Sequence, residues 1–341
     1  MESFFNLTLK ELEMLLGACG NEKYRAKQLF KWVYNKLTFD FDLMTDISKG
    51  LRRVFKDIFV FEFLTPENIE KSKDGSSKFV FRTKDGHIIE TVLMPEEDRT
   101  TLCISTQIGC KMGCRFCVTG KIGFIRDLTT AEIVSQLMTV KRIIGVRITN
   151  VVFMGMGEPL DNLRNVIRAI EIMGNPYGLN LSKRRITVST SGLVDNLRLL
   201  PQKSCVIAIS LNAADDEKRS YLMPINRIYP LDTIIEFARA YKPDKRSRIT
   251  FEYVLIGDLN DSEEDGEKLA HLLSGIKCKI NLIPYNESPY IPFKAPKDEK
   301  VLMFQKILLR NGFIATIRKS KGRDVCAACG QLGASYLRKS L

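Results

Sequence analysis

Between Thr101 and Pro284, six apolar strand-like runs alternate with stretches of helical periodicity, and nothing else in the 341-residue chain restricts its fold as strongly. The runs are Thr101 to Ile108, Ile148 to Met154, Arg185 to Ser189, Cys205 to Leu211, Ile249 to Ile256 and Lys279 to Pro284. Strands separated in this way by helices lie parallel with both faces covered, since each crossover lays a helix across the sheet. Six units are fewer than the eight of a closed barrel, so the expected fold class is α/β, a partial (β/α)6 barrel. Its sites belong at the C-terminal strand ends. Polar punctuation falls there: a cysteine loop at 110–117, Gly157-Glu158, Ser189, Ser210, Asn212 and Asn286.

The flanks read differently. Thr8 and Glu11 form a capping box that opens a helix ending near Gly17 and Gly20. A second helix is expected from Tyr24 to Leu37 and a third from Asp46 to Phe55. Tyr24, Phe30 and Trp32 lie at helical spacing and read as packed core rather than as platforms for bases. From about residue 66 to 108 the pattern switches to strands, with Ser77 to Thr83 and His87 to Met94 separated by Lys73-Asp-Gly and Lys84-Asp-Gly turns. Glu90 interrupts the second of these runs. It is expected to face solvent; a half-buried carboxylate would instead be poised to accept a proton, because desolvation raises its pKa. The chain thus divides into a helical module (1–62), a β extension (63–100), the barrel (101–320) and a tail (321–341).

Cys110, Cys114 and Cys117 stand at C-x3-C-x2-C in a short loop after the first barrel strand. Three thiolates can hold a [4Fe–4S] cluster while leaving one iron without a protein ligand, free to chelate a cofactor. Two other readings stay open: a zinc site that recruits Cys103 as fourth ligand, and a redox pair that leaves the third cysteine unexplained. His87 and His271 are the only histidines, which argues against a histidine-based hydrolase or a mononuclear metal enzyme.

Nine cysteines, an odd number, with Glu2 where a signal peptide would be basic, point to a reducing compartment, the cytoplasm. No run approaches the length of a membrane span. The net charge of +12 fits an anionic partner such as RNA. That surplus is uneven, with eleven Lys/Arg against three Asp/Glu from Lys294 onward and a basic knot at Lys183-Arg184-Arg185.

Gly155-Met-Gly-Glu158 lacks the Gly-Lys-Ser/Thr ending of a P-loop; its glycines permit close approach of a ligand, and Glu158 could accept from an ammonium group. Ser189-Thr-Ser-Gly192 either caps a helix or binds hydroxyl or carboxylate groups. In the tail, small residues around Cys326 and Cys329 leave a thiol accessible, and basic neighbours favour its thiolate; a buried structural cysteine or a metal knuckle is the alternative.

Several motifs in register carry a resemblance over nearly the whole chain. Cys103-Ile-Ser-Thr-Gln-Ile-Gly-Cys110, the cysteine loop, Met154-Gly-Met-Gly-Glu-Pro159, Leu181-Ser-Lys-Arg-Arg185, Ser189-Thr-Ser-Gly192, Leu222-Met-Pro-Ile-Asn226, Leu282-Ile-Pro-Tyr-Asn286 and Ala327-Ala-Cys-Gly-Gln-Leu332 resemble the RlmN/Cfr family. These are radical S-adenosylmethionine (SAM) enzymes that methylate adenosine carbons in RNA. The resemblance implies a radical SAM partial barrel, an N-terminal RNA-binding module, and a [4Fe–4S] cluster on Cys110, Cys114 and Cys117. It assigns SAM contacts to Gly157, Glu158, Ser189, Ser210, Leu211, Asn212 and Asn286. By the same likeness Cys329 takes a methyl group from SAM, and a cluster-generated 5′-deoxyadenosyl radical activates it. Glu90 then accepts a proton, and Cys103 closes a disulfide with Cys329. The implied substrates are 23S ribosomal RNA at the peptidyl transferase centre and tRNA at an adenosine beside the anticodon. Pro159 favours the carbon-2 branch over the carbon-8 resistance branch. A low-potential electron donor such as flavodoxin and a monomeric state complete the expectation. Asn212 departs from a frequent family histidine, and Cys326 is an additional thiol.

Overall fold

The computed structural model describes residues 1–201, 203–242 and 248–340. Among these, a ten-stranded sheet forms the frame: β1 Thr65–Lys71, β2 Ser77–Arg82, β3 Ile88–Pro95, β4 Thr100–Cys103, β5 Asn150–Phe153, β6 Ile186–Thr190, β7 Val206–Ser210, β8 Ile249–Leu255, β9 Cys278–Pro284 and β10 Ala315–Ile317. Strand order in space follows chain order from edge to edge. From β4 to β10 all neighbours are parallel. A parallel sheet that never reverses its order winds like a barrel rather than like a doubly wound sheet with a switch point.

All six expected barrel strands are present, as β4 to β9. A seventh, β10, is three residues long, too short to leave a readable period. The run Thr101 to Ile108 is not one strand. After Cys103 the chain leaves the sheet, and both main-chain groups of Ser105 bond to the side-chain amide of Gln136 (2.8 and 2.9 Å) instead of to a neighbouring strand. Gln107–Gly109 then pairs with Phe124–Asp127 in a separate ribbon.

The β extension continues the barrel's own sheet. β3 pairs antiparallel with β4, from Val92 opposite Cys103 to Pro95 opposite Thr100. β1, which faces water at the edge, was not signalled by alternation. The N-terminal module keeps its Thr8–Glu11 capping box on helix Leu9–Ala18. The second helix is regular only over Tyr24–Phe30 and widens into a π-helical turn at Lys31–Asn35. The third begins at Lys49 rather than Asp46: Ser48 is the cap, while the Asp46 carboxylate accepts from Trp32 Nε1. Phe30 is core as expected, packed with Phe4 and Tyr34. Each such buried side chain contributes roughly 1.5–3 kcal/mol. Tyr24 is not core; it lies exposed with Arg25 over its ring, and Trp32 is half-buried. Among the described residues no helix is long and apolar enough to cross a membrane.

Candidate active site

At the C-terminal ends of β4 to β9 lies a cleft with about 920 Å³ of empty space, part of it open to solvent. Its lining includes Cys110, Cys114 and Cys117, Gly157 and Glu158, Ser189, Ser210, Asn212, Asn286 and Cys329. Residues far apart in sequence thus meet on one surface because each follows a strand of the same parallel sheet.

The cysteine loop is held at both ends by the Gln107–Gly109 ribbon and by the Cys110 N–H, which donates to Gly123 O (2.9 Å). Gln107 ties the loop to the next turn: its amide donates to Asp127 and Asp161 (2.8 Å each), and its carbonyl accepts from the Glu158 N–H (2.8 Å). That turn needs Gly157, with φ of +98°, since a Cβ there would lie 2.5 Å from Gln107 Cβ.

Burial pushes the Cys110 thiol up to about 12 and raises those of Cys114 and Cys117 as well. Alone, these thiols stay protonated. Bound iron reverses that preference, because a coordinating thiol is deprotonated outright. Among the described residues no three His, Cys, Asp or Glu side chains are arranged to hold a single metal ion. A cluster asks for something wider, with each thiolate on a different iron. Three thiols that open on one cleft, whose lining also includes Met112, Phe116 and Met223, fit that requirement. Cys103, which a zinc site would recruit, lines a different, smaller cavity.

Glu158 is buried, and burial raises its pKa despite hydrogen bonds from the N–H (2.8 Å) and hydroxyl (2.9 Å) of Ser191 and the N–H of Leu160 (3.1 Å). Ser189 donates to Glu252 (2.7 Å). The Asn212 amide is already engaged, accepting from the Val254 N–H (2.9 Å) and donating to Met223 Sδ (3.1 Å). Leu211 does not line the cleft: the residue is wholly buried, its N–H donates to Glu252 O (2.9 Å) and its carbonyl accepts from Arg219 (3.1 Å). Asn286 donates to the Cys329 carbonyl (3.2 Å) and accepts from Arg323 (2.9 Å), which spends its amide on the tail.

The tail forms an arm that lies over the strand ends. Cys329 and Cys103 line the smaller cavity together with Val92, Met154 and Arg318. The Arg318 guanidinium is held in its charged form by Cys329 first, and also by Glu252 and Cys103. Burial, with Cys329 adding to it, pushes the Cys103 thiol up to about 12. Glu90 does not face solvent. It is fully buried in β3, and its carboxylate accepts from the N–H groups of Gly333 (2.7 Å) and Ser335 (3.0 Å) in the arm. The alternation of a half-exposed strand suggested that Glu90 faces solvent, but the arm packs over that face of β3. Cys326 turns the other way, its sulfur 3.8 Å from Arg338.

Sequence reasoning missed Glu252, Arg318 and Arg219. Glu252 lies in an apolar strand run and could have been singled out as Glu90 was. Arg219 is fully buried and donates to the carbonyls of Leu211, Tyr229, Ser191 and Ser210 and to Asn226, bracing two site loops. On a short helix it looks like any surface arginine.

Comparison with known proteins agrees with this geometry. Residues 104–272 match the Radical SAM superfamily, and residues 3–60 match the ribosomal RNA large subunit methyltransferase N-terminal domain. The dual-specificity RNA methyltransferase RlmN of Desulfotalea psychrophila is 47% identical, covering 98% of this chain and 95% of that one. Its counterpart in Geobacter sulfurreducens is 49% identical over 96% and 90%. The crystal structure of a radical SAM methyltransferase from Sphaerobacter thermophilus superposes with a TM-score of 0.90 at 45% identity, covering 98% of this chain and all of that one. With relatives 47% and 49% identical over nearly its whole length, and both family models matched, this chain belongs to the RlmN family of radical SAM RNA methyltransferases.

Proposed function

We propose that this chain methylates carbon 2 of adenosine in 23S ribosomal RNA and in tRNA, through a methyl group carried on Cys329. The observation that carries the reading is the double exposure of Cys329, to the cysteine-lined cleft on one side and to Cys103 on the other. The relatives named dual-specificity RNA methyltransferase support the two RNA classes. The module at residues 3–60, with Lys36 over Trp32 and Arg25 over Tyr24 on its surface, is the part proposed to grip RNA.

Carbon 2 of adenine is electron-poor and the methyl of SAM is electrophilic, so direct polar transfer is mismatched. Cys110, Cys114 and Cys117 would hold the cluster, which when bound supplies the electron that splits SAM into a hydrogen-abstracting fragment. Gly157, Glu158, Ser189, Ser210, Asn212 and Asn286, which line the cleft, would orient SAM. The Cys329 sulfur displaces the methyl from one SAM, forming an S–CH3 bond as the sulfonium bond breaks. Arg318, beside both thiols, stabilises negative charge on that sulfur. After hydrogen is removed from the methyl, its carbon bonds to carbon 2 of the base, and one electron is returned. Glu90 accepts the carbon-2 proton. Cys103 then attacks the Cys329 sulfur, forming the S–S bond as the bond from that sulfur to carbon breaks. The freed CH2 carbon keeps the electron pair and takes up a proton to complete the methyl group, and the methylated base leaves.

The test is mass spectrometry of the tail peptide from anaerobically reconstituted enzyme incubated with SAM. A methyl group on Cys329 is expected, and its absence overturns the mechanism.

A further inference from the structure

We propose that Glu90 is the latch of the C-terminal arm: its ionised carboxylate holds the arm over Cys103 and Cys329, and its protonation lets the arm go. The coupling of this latch to turnover rests on the reading of Glu90 as proton acceptor given above; the latch itself does not.

Both oxygens of Glu90 are spent on arm main chain. Oε2 accepts from the Gly333 N–H at 2.7 Å, and Oε1 from the Ser335 N–H at 3.0 Å, where the final helix Ala334–Ser340 begins. Gly333 has φ of +99°, and a Cβ on it would lie 2.7 Å from Ile122 Cδ1, so the arm sits this close because the residue is glycine. The arm's other attachments are of a different kind. Gly330 and Leu332 accept from the Val118 N–H and the Thr119 hydroxyl (2.8 and 2.7 Å), and Gln331 donates to Glu287 O (2.7 Å). Asp74 and Asp324, which tie the arm's start to the β1–β2 turn, are carboxylates near water. Among the described residues, Glu90 is the fully buried ionisable group in this set.

Its charged surroundings are few. Lys78 on β2, also fully buried, lies 3.9 Å from Oε1, and Glu70 on β1 lies 3.2 Å from the same ammonium. On the arm, Tyr336 stacks on His87 at the start of β3. Ser105, on the loop after β4, bonds only the main-chain carbonyl of Glu90 (2.6 Å). A carboxylate can accept two charge-assisted hydrogen bonds at once. The neutral acid carries a hydrogen on one oxygen, which then faces an N–H donor to donor. Val92, two residues along β3 and so on the same face, pairs with Cys103 and lines the cavity that Cys329 shares. A base attached through Cys329 is therefore next to the arm's own fastening. The proton that restores aromaticity to the base also loosens the arm, and product leaves after the bond is made rather than before.

Glu90→Gln imitates the neutral acid, and amide hydrogen exchange on the full anaerobic protein reads the arm directly. Exchange at residues 333–337 is expected to rise about tenfold or more, while β5 to β9 stay protected. Unchanged exchange in the arm overturns the latch. Should Glu90→Gln disturb the core, Ser335→Pro removes one donor from the arm side in the first helical turn, where proline is tolerated, and the same loosening is expected. Denaturing gels of each variant with RNA separate the two roles. Accumulated protein–RNA adduct with an arm as protected as wild type leaves Glu90 as base and refutes the latch. A loosened arm without adduct supports the latch and refutes the base.

Discussion

Two fully buried cations, one on a short helix beside the parallel half of the sheet and one on a strand of its antiparallel half, show how differently those halves are built. Arg219, beside the parallel half, donates to four carbonyls and one side-chain amide, all neutral. Lys78, in the antiparallel half, has no aligned hydrogen bond; it faces two carboxylates, Glu70 at 3.2 Å and Glu90 at 3.9 Å. Fixed dipoles around a planar guanidinium set one geometry and hold it. Burial draws the Arg219 pKa down to about 10, still well above neutrality. An ammonium among carboxylates is held by charge without direction, and its balance changes when one partner gains a proton. The parallel half is built to stay still beneath cofactors, and the antiparallel half to hold an arm that moves.

The largest effect that would separate the halves is expected from Cys114→Ala. Methylation should fall more than about a thousandfold and iron content should collapse, with arm exchange unchanged. A parallel loss of arm protection would mean that the two halves are coupled through the loop. Next comes Arg219→Met, which leaves several buried carbonyls without donors. It should cost roughly 3–5 kcal/mol in guanidinium unfolding, and a cost under about 1 kcal/mol would sink the idea of a rigid brace. Lys78→Met made together with Glu90→Gln should cost less, roughly 1–2 kcal/mol, because the desolvation penalty of the ammonium disappears with its charge and no buried carboxylate is left without its cation. If it costs as much as the arginine change, the contrast between directional and non-directional cations fails.

The smallest effect concerns Asp74, whose carboxylate accepts from the Gly322 N–H at 2.7 Å. Burial raises its pKa, but hydrogen bonds from Ser76, Gly322 and Ser72 outweigh it and hold the value at about 2. With the folded value below the ordinary 3.8, its contribution is present above about pH 4 and lost as pH falls toward 2. Asp74→Asn should weaken arm docking by no more than about 1 kcal/mol, since the group is mostly exposed. Limited proteolysis of the arm should then vary less between pH 4 and pH 2 than in the parent chain. An identical pH dependence would remove Asp74 from the dock.

The alternation of apolar strands and helices gave away the parallel half, because a buried strand must be apolar on both faces and a crossover must be a helix. The cysteine loop was legible for a similar reason: three thiols within eight residues have few other uses. Thr8 and Glu11 announced their capping box because that interaction is local. What could not be read was anything settled across the sheet. Glu90 looked like an outward-facing strand residue, and only the arm, more than two hundred residues later, makes it buried. Tyr24 and Phe30 share a helix and a spacing, yet one faces water. Arg219 and Lys78 carry no mark of burial in their neighbours, since the groups that surround them come from other elements. Local chemistry and periodicity, which act within a few residues, were determined by the sequence alone. Which charges were withdrawn from water, and which oxygen met which N–H, was decided by long-range packing in the folded chain.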